Sequence, residues 1–499
     1  MTDDVIARTE QGSLRGVRDG DALRFLGIPF AESPATAGRF AAPVPHPSWD
    51  GVRDALDYGA TSPQPDRGIT LIPEPIIPGE NELNLNVFTP DLGAVNLPVF
   101  VWIHGGGFFG GCNASPWYRG GPFARDGVVL VSVNYRLGAE GFLEAPDAPA
   151  NRAVRDWVRA LEWVQENIAA FGGDPARVSI GGQSAGGGAS ATLLGVPAAR
   201  GLFRGAICMS GSTALSHTAE GVRAVTAAMA AQLGAADLNQ ASLEQLEAGA
   251  ILAAQEAVMG AMMAAAAQQD PAAVAGLLGG GLPLPFAPWV DGEVVTEPAL
   301  PAAGRGDVKI LVGATANEFN MMLLGADWIT AAMARDGLAG AGVPGPQVAE
   351  YLDRPGRPCD VVGQAVTDRT FRAPAQHLAE TAADAWTYDF RWSAPAGPLP
   401  GLAFHCLDVP FAFDNLHEPG AAEATGGAAP ASLASTIHRA WTAFVADGDP
   451  GWAKYDADTR TTMVFNAESA AEQDPLRMER EAWPAGLRHP SPRYHHQSP

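Results

Sequence analysis

Ser184 stands in the run Gly182-Gln183-Ser184-Ala185-Gly186. A serine between two glycines at this spacing suits a sharp strand-to-helix turn, whose flanking positions must be nearly free of side chain. Such a turn holds the hydroxyl at the top of a sheet, where a base and a substrate both reach it. The chemistry would be attack on a carbonyl carbon. The pentapeptide alone is a weak signal, because a chain with 58 glycines forms glycine-rich turns by chance. Its setting strengthens it. Val158, Leu161, Trp163, Val164, Ile168 and Phe171 recur at helical spacing from Asp156 to Phe171. Gly172-Gly173-Asp174-Pro175 stops that helix, and Arg177 to Gly181 reads as a short buried strand. Helix, turn, strand, serine and helix follow in the order that the turn requires.

Acyl transfer also needs donors for a negatively charged oxygen. The apolar run Pro98 to Ile103 predicts a buried strand leading into His104-Gly105-Gly106-Gly107-Phe108. The amides of Gly106 and Gly107 are the expected donors, with Ala185 just after the serine as the third. Gly105-x-Gly107-x-x-Gly110 also matches a dinucleotide fingerprint, but that fingerprint must open a helix. Gly111 to Pro116 reads as a loop instead.

An activated serine needs a general base and a carboxylate to orient it, in the chain order serine, acid, histidine. Of ten histidines, His46 and His104 precede the serine, His377 and His438 lie in helical stretches, and the last three are in the tail. Of the rest, His217 leaves little room for an acid before it, and His417 has the polar flank of a solvated residue. His405 follows the apolar segment Leu399 to Phe404 and sits near a strand end. Two acids qualify between the serine and His405. Glu318 follows the expected strand Val308 to Ala314. Asp291 precedes Gly292 in what reads as a structural turn.

The positioning elements must come from a large fold. The 499 residues are 47% hydrophobic and 17% charged, which suits a folded globule. No linker is evident, so one domain over 1–499 is expected, with a flexible tail at 487–499. The net charge of -23 disfavours nucleic acid and anionic membrane as partners. The longest apolar run, Ala257 to Ala267, is too short to span a bilayer. Cys112, Cys208, Cys359 and Cys406 are scattered, which suggests neither a zinc site nor a disulfide scaffold. The acidic start, without a leader-like apolar stretch, and the expected buried thiols point to a cytoplasmic protein. Met259, Met262 and Met263, followed by Gly279-Gly280-Gly281, would suit a mobile lid. A packed helix and a loop is the plainer reading of that region.

The motifs together resemble the type-B carboxylesterase family, the cholinesterase-like branch of the α/β-hydrolases. The resemblance runs through Phe25 to Ala31, Glu80 to Phe88, Trp102 to Gly107, Asn134 to Gly138, Phe171 to Pro175, Ser210-Gly211-Ser212, Phe286 to Gly292 and Phe444 to Pro450. It implies an α/β-hydrolase fold, a large mostly parallel sheet flanked by helices, with helical excursions forming the pocket. It implies a triad on Ser184, Glu318 and His405 and hydrolysis of a small-molecule ester, with no metal or cofactor. It further implies ion pairs of Arg39 with Glu80 and of Arg136 with Asp174, and a hydrogen-bonding support for the triad from Ser210. A carbamate or aryl-amide hydrolase with the same triad is the alternative. A non-catalytic binding protein is a remote one, since such relatives typically lack triad members. Secreted relatives usually carry cysteines where this chain has Ser62 and Glu82. Gln183 stands beside the nucleophile in place of the family's common glutamate, which weakens attraction for a cationic substrate. Phe319 follows the acid where glycine is frequent.

Overall fold

Val99, Val101 and Ile103 alternate with Phe100 and Trp102, and successive residues of a strand face opposite ways. A strand here therefore buries apolar side chains on both faces, which requires a sheet covered on both sides. The computed structural model has that arrangement. It describes residues 4–68, 70–211, 218–266, 268–280 and 284–485. Among them, one sheet contains β1 (Asp4–Arg8), β2 (Ser13–Asp19), β3 (Ala22–Pro29), β4 (Val52–Asp54), β5 (Asn84–Thr89), β6 (Leu97–Ile103) and β7 (Val129–Val133). It continues with β8 (Gly173–Gln183), β9 (Gly205–Met209), β10 (Lys309–Thr315), β11 (Ala385–Phe390), β12 (Thr461–Phe465) and β13 (Ala470–Gln473). The spatial order is β1-β2-β3-β5-β7-β6-β8-β9-β10-β11-β12-β13, with β4 beside β2. The strands from β7 to β12 along this order are parallel. Antiparallel strands continue the sheet at both ends.

The alternation on β6 divides the core. Val99, Val101 and Ile103 join Val131, Ile180 and the helix Arg152–Asn167, through Trp157, Leu161 and Val164. Phe100 and Trp102 join Leu130, Ile207 and Leu311 on the other face, under Ile437, Trp441 and Phe444 of the helix Ala431–Asp447. A third cluster lies among the helices Pro271–Gly280, Ala331–Gly340, Gly345–Asp353 and Pro358–Thr367, around Val274, Leu338, Tyr351 and Val362.

The helix expected over Asp156 to Phe171 begins earlier, at Arg152, and tightens after Asn167 into a short 3₁₀ turn, Ile168–Phe171. Carbonyls of Ala139, Glu140, Leu143 and Pro149 accept from the buried Arg152 guanidinium and tie down the first turn. Gly172, at φ 82°, ends the run. The alanine- and methionine-rich segment is a packed helix, Ala248–Ala266. Its Ile251, Ala254 and Val258 are buried in the first core, and Gln255 Oε1 accepts from the Ala139 amide at 2.9 Å. Gly281 lies outside the described residues.

Candidate active site

The strand β8 ends at Gln183, and the helix Ala185–Leu193 begins two residues later. Ser184 lies between them at φ 58° and ψ −122°, a conformation that a residue with a Cβ rarely adopts. Its amide donates to Met209 O on β9 at 2.9 Å, which fixes the turn to the neighbouring strand. The two glycines of the pentapeptide face crowded backbone. A Cβ on Gly182 would sit 2.4 Å from Gly186 C, and one on Gly186 would sit 2.0 Å from Ile103 O. Ser184 is half-buried, and its Oγ has no hydrogen-bond partner among the described residues.

The glycine loop leaves the end of β6, next to β8. Gly106 has φ 108° and Gly107 φ 65°. Among the described residues, the amides of Gly106, Gly107 and Ala185 make no backbone hydrogen bond, which leaves them available as donors. The loop is tied down at both ends. Tyr135 donates from its hydroxyl to His104 O at 3.0 Å, and the two rings stack at 4.4 Å. Gln64 brackets Gly111, accepting from its amide at 2.9 Å and donating to its carbonyl at 3.0 Å. Burial pushes the His104 ring down to about 4, so it stays neutral and structural.

Glu318 follows β10 and is fully buried. Its Oε1 accepts from the Thr315 amide at 2.7 Å, and its Oε2 is hydrogen-bonded to His405 Nδ1. The His405 amide also donates to Glu318 O at 3.1 Å, so backbone and side chain bind the two segments together. The His405 ring lies against Phe319 at 4.7 Å and Phe371 at 5.3 Å. Burial disfavours a charged ring, but Cys406 and Glu318 beside it outweigh burial and raise its pKa above the ordinary value. The other ring nitrogen, Nε2, lies 3.2 Å from Gln183 Nε2. Serine, histidine, acid and glycine loop thus stand at the carboxyl ends of neighbouring strands or just beyond them. This is where open α/β sheets place their ligands.

Residues 3–333 match the carboxylesterase family. The chain belongs to that family. Para-nitrobenzyl esterase of Bacillus subtilis (strain 168) is 33% identical over 491 residues, covering 94% of this chain and 96% of its own length. Phenmedipham hydrolase of Pseudarthrobacter oxydans is 33% identical over 501 residues, with 93% and 96% covered. The crystal structure of a Geobacillus stearothermophilus carboxylesterase aligns with a TM-score of 0.82 at 31% identity, over 96% of this chain and 99% of that one. This carboxylesterase has the α/β-hydrolase fold and is a serine hydrolase of carboxylic esters.

In this carboxylesterase the rival acid Asp291 is used locally. Its Oδ1 accepts from the amides of Glu293, Val294 and Val295, and its Oδ2 from Asn151. His417 is exposed beside Glu418, and His217 lies outside the described residues. Both expected ion pairs differ from those found. Arg39 pairs with Glu140 at 3.4 Å, while the Glu80 side chain is exposed. Arg136 is fully buried and takes the equally buried Asp156 through two bonds, at 2.9 and 2.6 Å. Asp174, half-buried at the start of β8, caps its own turn, accepting from the Ala176 amide. A desolvated guanidinium selects a carboxylate that is desolvated with it. Ser210 is buried at φ 47° and donates its amide to Gly313 O, but its Oγ has no partner among the described residues. Among the described residues, the expected hydrogen-bonding support from its side chain is therefore not made. Sequence reasoning missed three contacts: Gln64 on the loop, Phe371 on the histidine and Cys406 on Gln183. Only Cys406 carried a signal, its place next to His405.

Proposed function

We propose that Ser184 is the nucleophile, His405 the general base and acid, and Glu318 the group that orients His405. The amides of Gly106, Gly107 and Ala185 would form the oxyanion hole. The carrying observation is the buried Glu318–His405 Nδ1 bond, held beside the strained Ser184 turn. With Nδ1 donating to Glu318, the lone pair of the neutral ring lies on Nε2, the nitrogen that must take the serine proton. Ser184 Oγ attacks the ester carbonyl as its proton passes to His405. The oxyanion is met by the free amides. The alcohol leaves with the proton from His405, and an acyl group remains on Ser184. Water then attacks that acyl carbon while His405 takes its proton; the bond to Ser184 Oγ breaks, His405 returns the proton to that oxygen, and the acid departs.

The preferred substrates on this reading are neutral carboxylic esters, because the amide of Gln183 puts no negative charge beside the nucleophile. The continuous sheet supports a single domain across the described chain. Four free, buried thiols suit a reducing compartment and so a cytoplasmic location. Among the described residues, no helix is long and apolar enough to cross a membrane.

The test is Ser184→Ala with p-nitrophenyl acetate. Turnover falls by at least about 10³-fold while circular dichroism stays that of the wild type. A folded variant with wild-type turnover would refute the assignment.

A further inference from the structure

Gln183 is completely buried, and both ends of its carboxamide are engaged. Its Nε2 lies 3.2 Å from His405 Nε2, and its Oε1 accepts from the Cys406 thiol at 3.4 Å. Gly105 leaves room for this group, since a Cβ there would stand 3.1 Å from Oε1. The protonation pattern follows from donor counting. His405 Nδ1 donates to Glu318, so Nε2 of the neutral ring is an acceptor, and the carboxamide nitrogen of Gln183 can only donate. The Gln183 N–H therefore rests on the lone pair that must receive the serine proton. A protonated ring would turn this contact into two donors facing each other.

We propose that Gln183, oriented by the Cys406 thiol, is a positioning residue that holds His405 in its proton-accepting form between turnovers. This rests on the reading of Ser184, His405 and Glu318 as the catalytic groups. The thiol selects between two orientations of the carboxamide. With S–H donating to Oε1, the nitrogen faces His405 and the neutral ring is favoured. With the carboxamide turned over, Oε1 faces the ring and the charged form is favoured. Removing the thiol removes the preference. Burial raises the thiol's pKa, which keeps it a neutral donor. Other groups near His405 act the other way or are constant, and Cys406, besides orienting Gln183, also raises the ring's pKa directly. Glu318 stabilises the charged ring. Asp408 lies beyond it, bonded to the Tyr388 hydroxyl on β11 and pushed up to about 7 by burial and by Glu318. Phe319 and Phe371 present uncharged rings. All of these remain in the variants below.

The experiment is the pH profile of kcat/KM for p-nitrophenyl acetate in the wild type, Gln183→Met, Gln183→Ala and Gln183→Glu, with fluorophosphonate labelling of Ser184 alongside. Gln183→Met is the decisive arm. It keeps the length of the buried side chain and removes its N–H donor, and Cys406 stays in place. The acidic midpoint should rise in all three variants: by about one pH unit or more in Gln183→Glu, where a carboxylate faces the ring, and by a smaller, resolvable step in Gln183→Met and Gln183→Ala, where the donor to Nε2 is lost. A Gln183→Met midpoint equal to or below that of the wild type overturns the proposal whatever Gln183→Glu does, because a carboxylate raises a nearby histidine by charge alone. An unfolded Gln183→Ala leaves the decision with Gln183→Met. Failure of the catalytic reading would look different: the folded wild type would show neither labelling nor turnover.

Discussion

Gly106 combines a positive φ of 108° with a backbone oxygen, Gly110 O, only 2.1 Å from where a Cβ would stand. Gly106→Ala must therefore displace the loop and misdirect at least one amide. In kinetics with p-nitrophenyl acetate, kcat should fall about 10²–10³-fold, the loss typical of one oxyanion donor, while KM changes much less. The contrast between the two acids is as direct. Glu318→Gln should lower kcat by several orders of magnitude, because His405 loses the carboxylate that fixes its tautomer. Asp291→Asn should lower the melting temperature and leave kcat in the folded protein near the wild type. Residues of this kind were legible in the sequence because their chemistry leaves a local trace: small neighbours for Ser184, adjacent glycines for the loop, a strand end for Glu318. The contacts of Gln64 and Phe371 left none, since each meets the site across a long loop closure and has no spacing rule.

At the scale of elements, the helix Arg152–Asn167 does more than cover the sheet. Its Asp156 satisfies Arg136, which also donates to the carbonyls of Arg39 and Ala41 and so ties the early loops to the core. Removing one partner of a buried pair leaves an uncompensated charge. Asp156→Ala should cost about 3–5 kcal/mol in chemical denaturation. Glu80→Gln, on an exposed side chain, should stay within about 0.5 kcal/mol. The central strands and this helix could be read in advance because their periodicities are strong. The ion pairs could not, because a family pattern names charged positions and not which of them burial brings together. Arg136 had both Asp156 and Asp174 nearby in sequence, and only the fold shows that Asp156 is the buried one.

At the scale of the molecule, the net charge of -23 surrounds a site whose own nearest substitution, Gln183, is neutral. Long-range attraction and local recognition therefore separate. For a cationic ester, kcat/KM should decline several-fold as ionic strength rises from about 10 mM to 300 mM, while a neutral ester of similar size stays flat. Salt-independent turnover of the cationic ester would show that the acidic surface does not steer. The sheet order has a kinetic consequence of its own. The glycine loop and Ser184 ride on adjacent strands, but Glu318 arrives on β10, which pairs with β9 from Gly205↔Lys309 onward, across a long stretch of chain. His405 comes later still, beyond β11. Such distant pairings close slowly. A refolding chain can recover the fluorescence of Trp157, which packs against Phe108, Tyr135 and Phe142, before its base and nucleophile have met. Returning turnover would then lag behind returning fluorescence, and the lag would time the docking of the C-terminal part of the sheet.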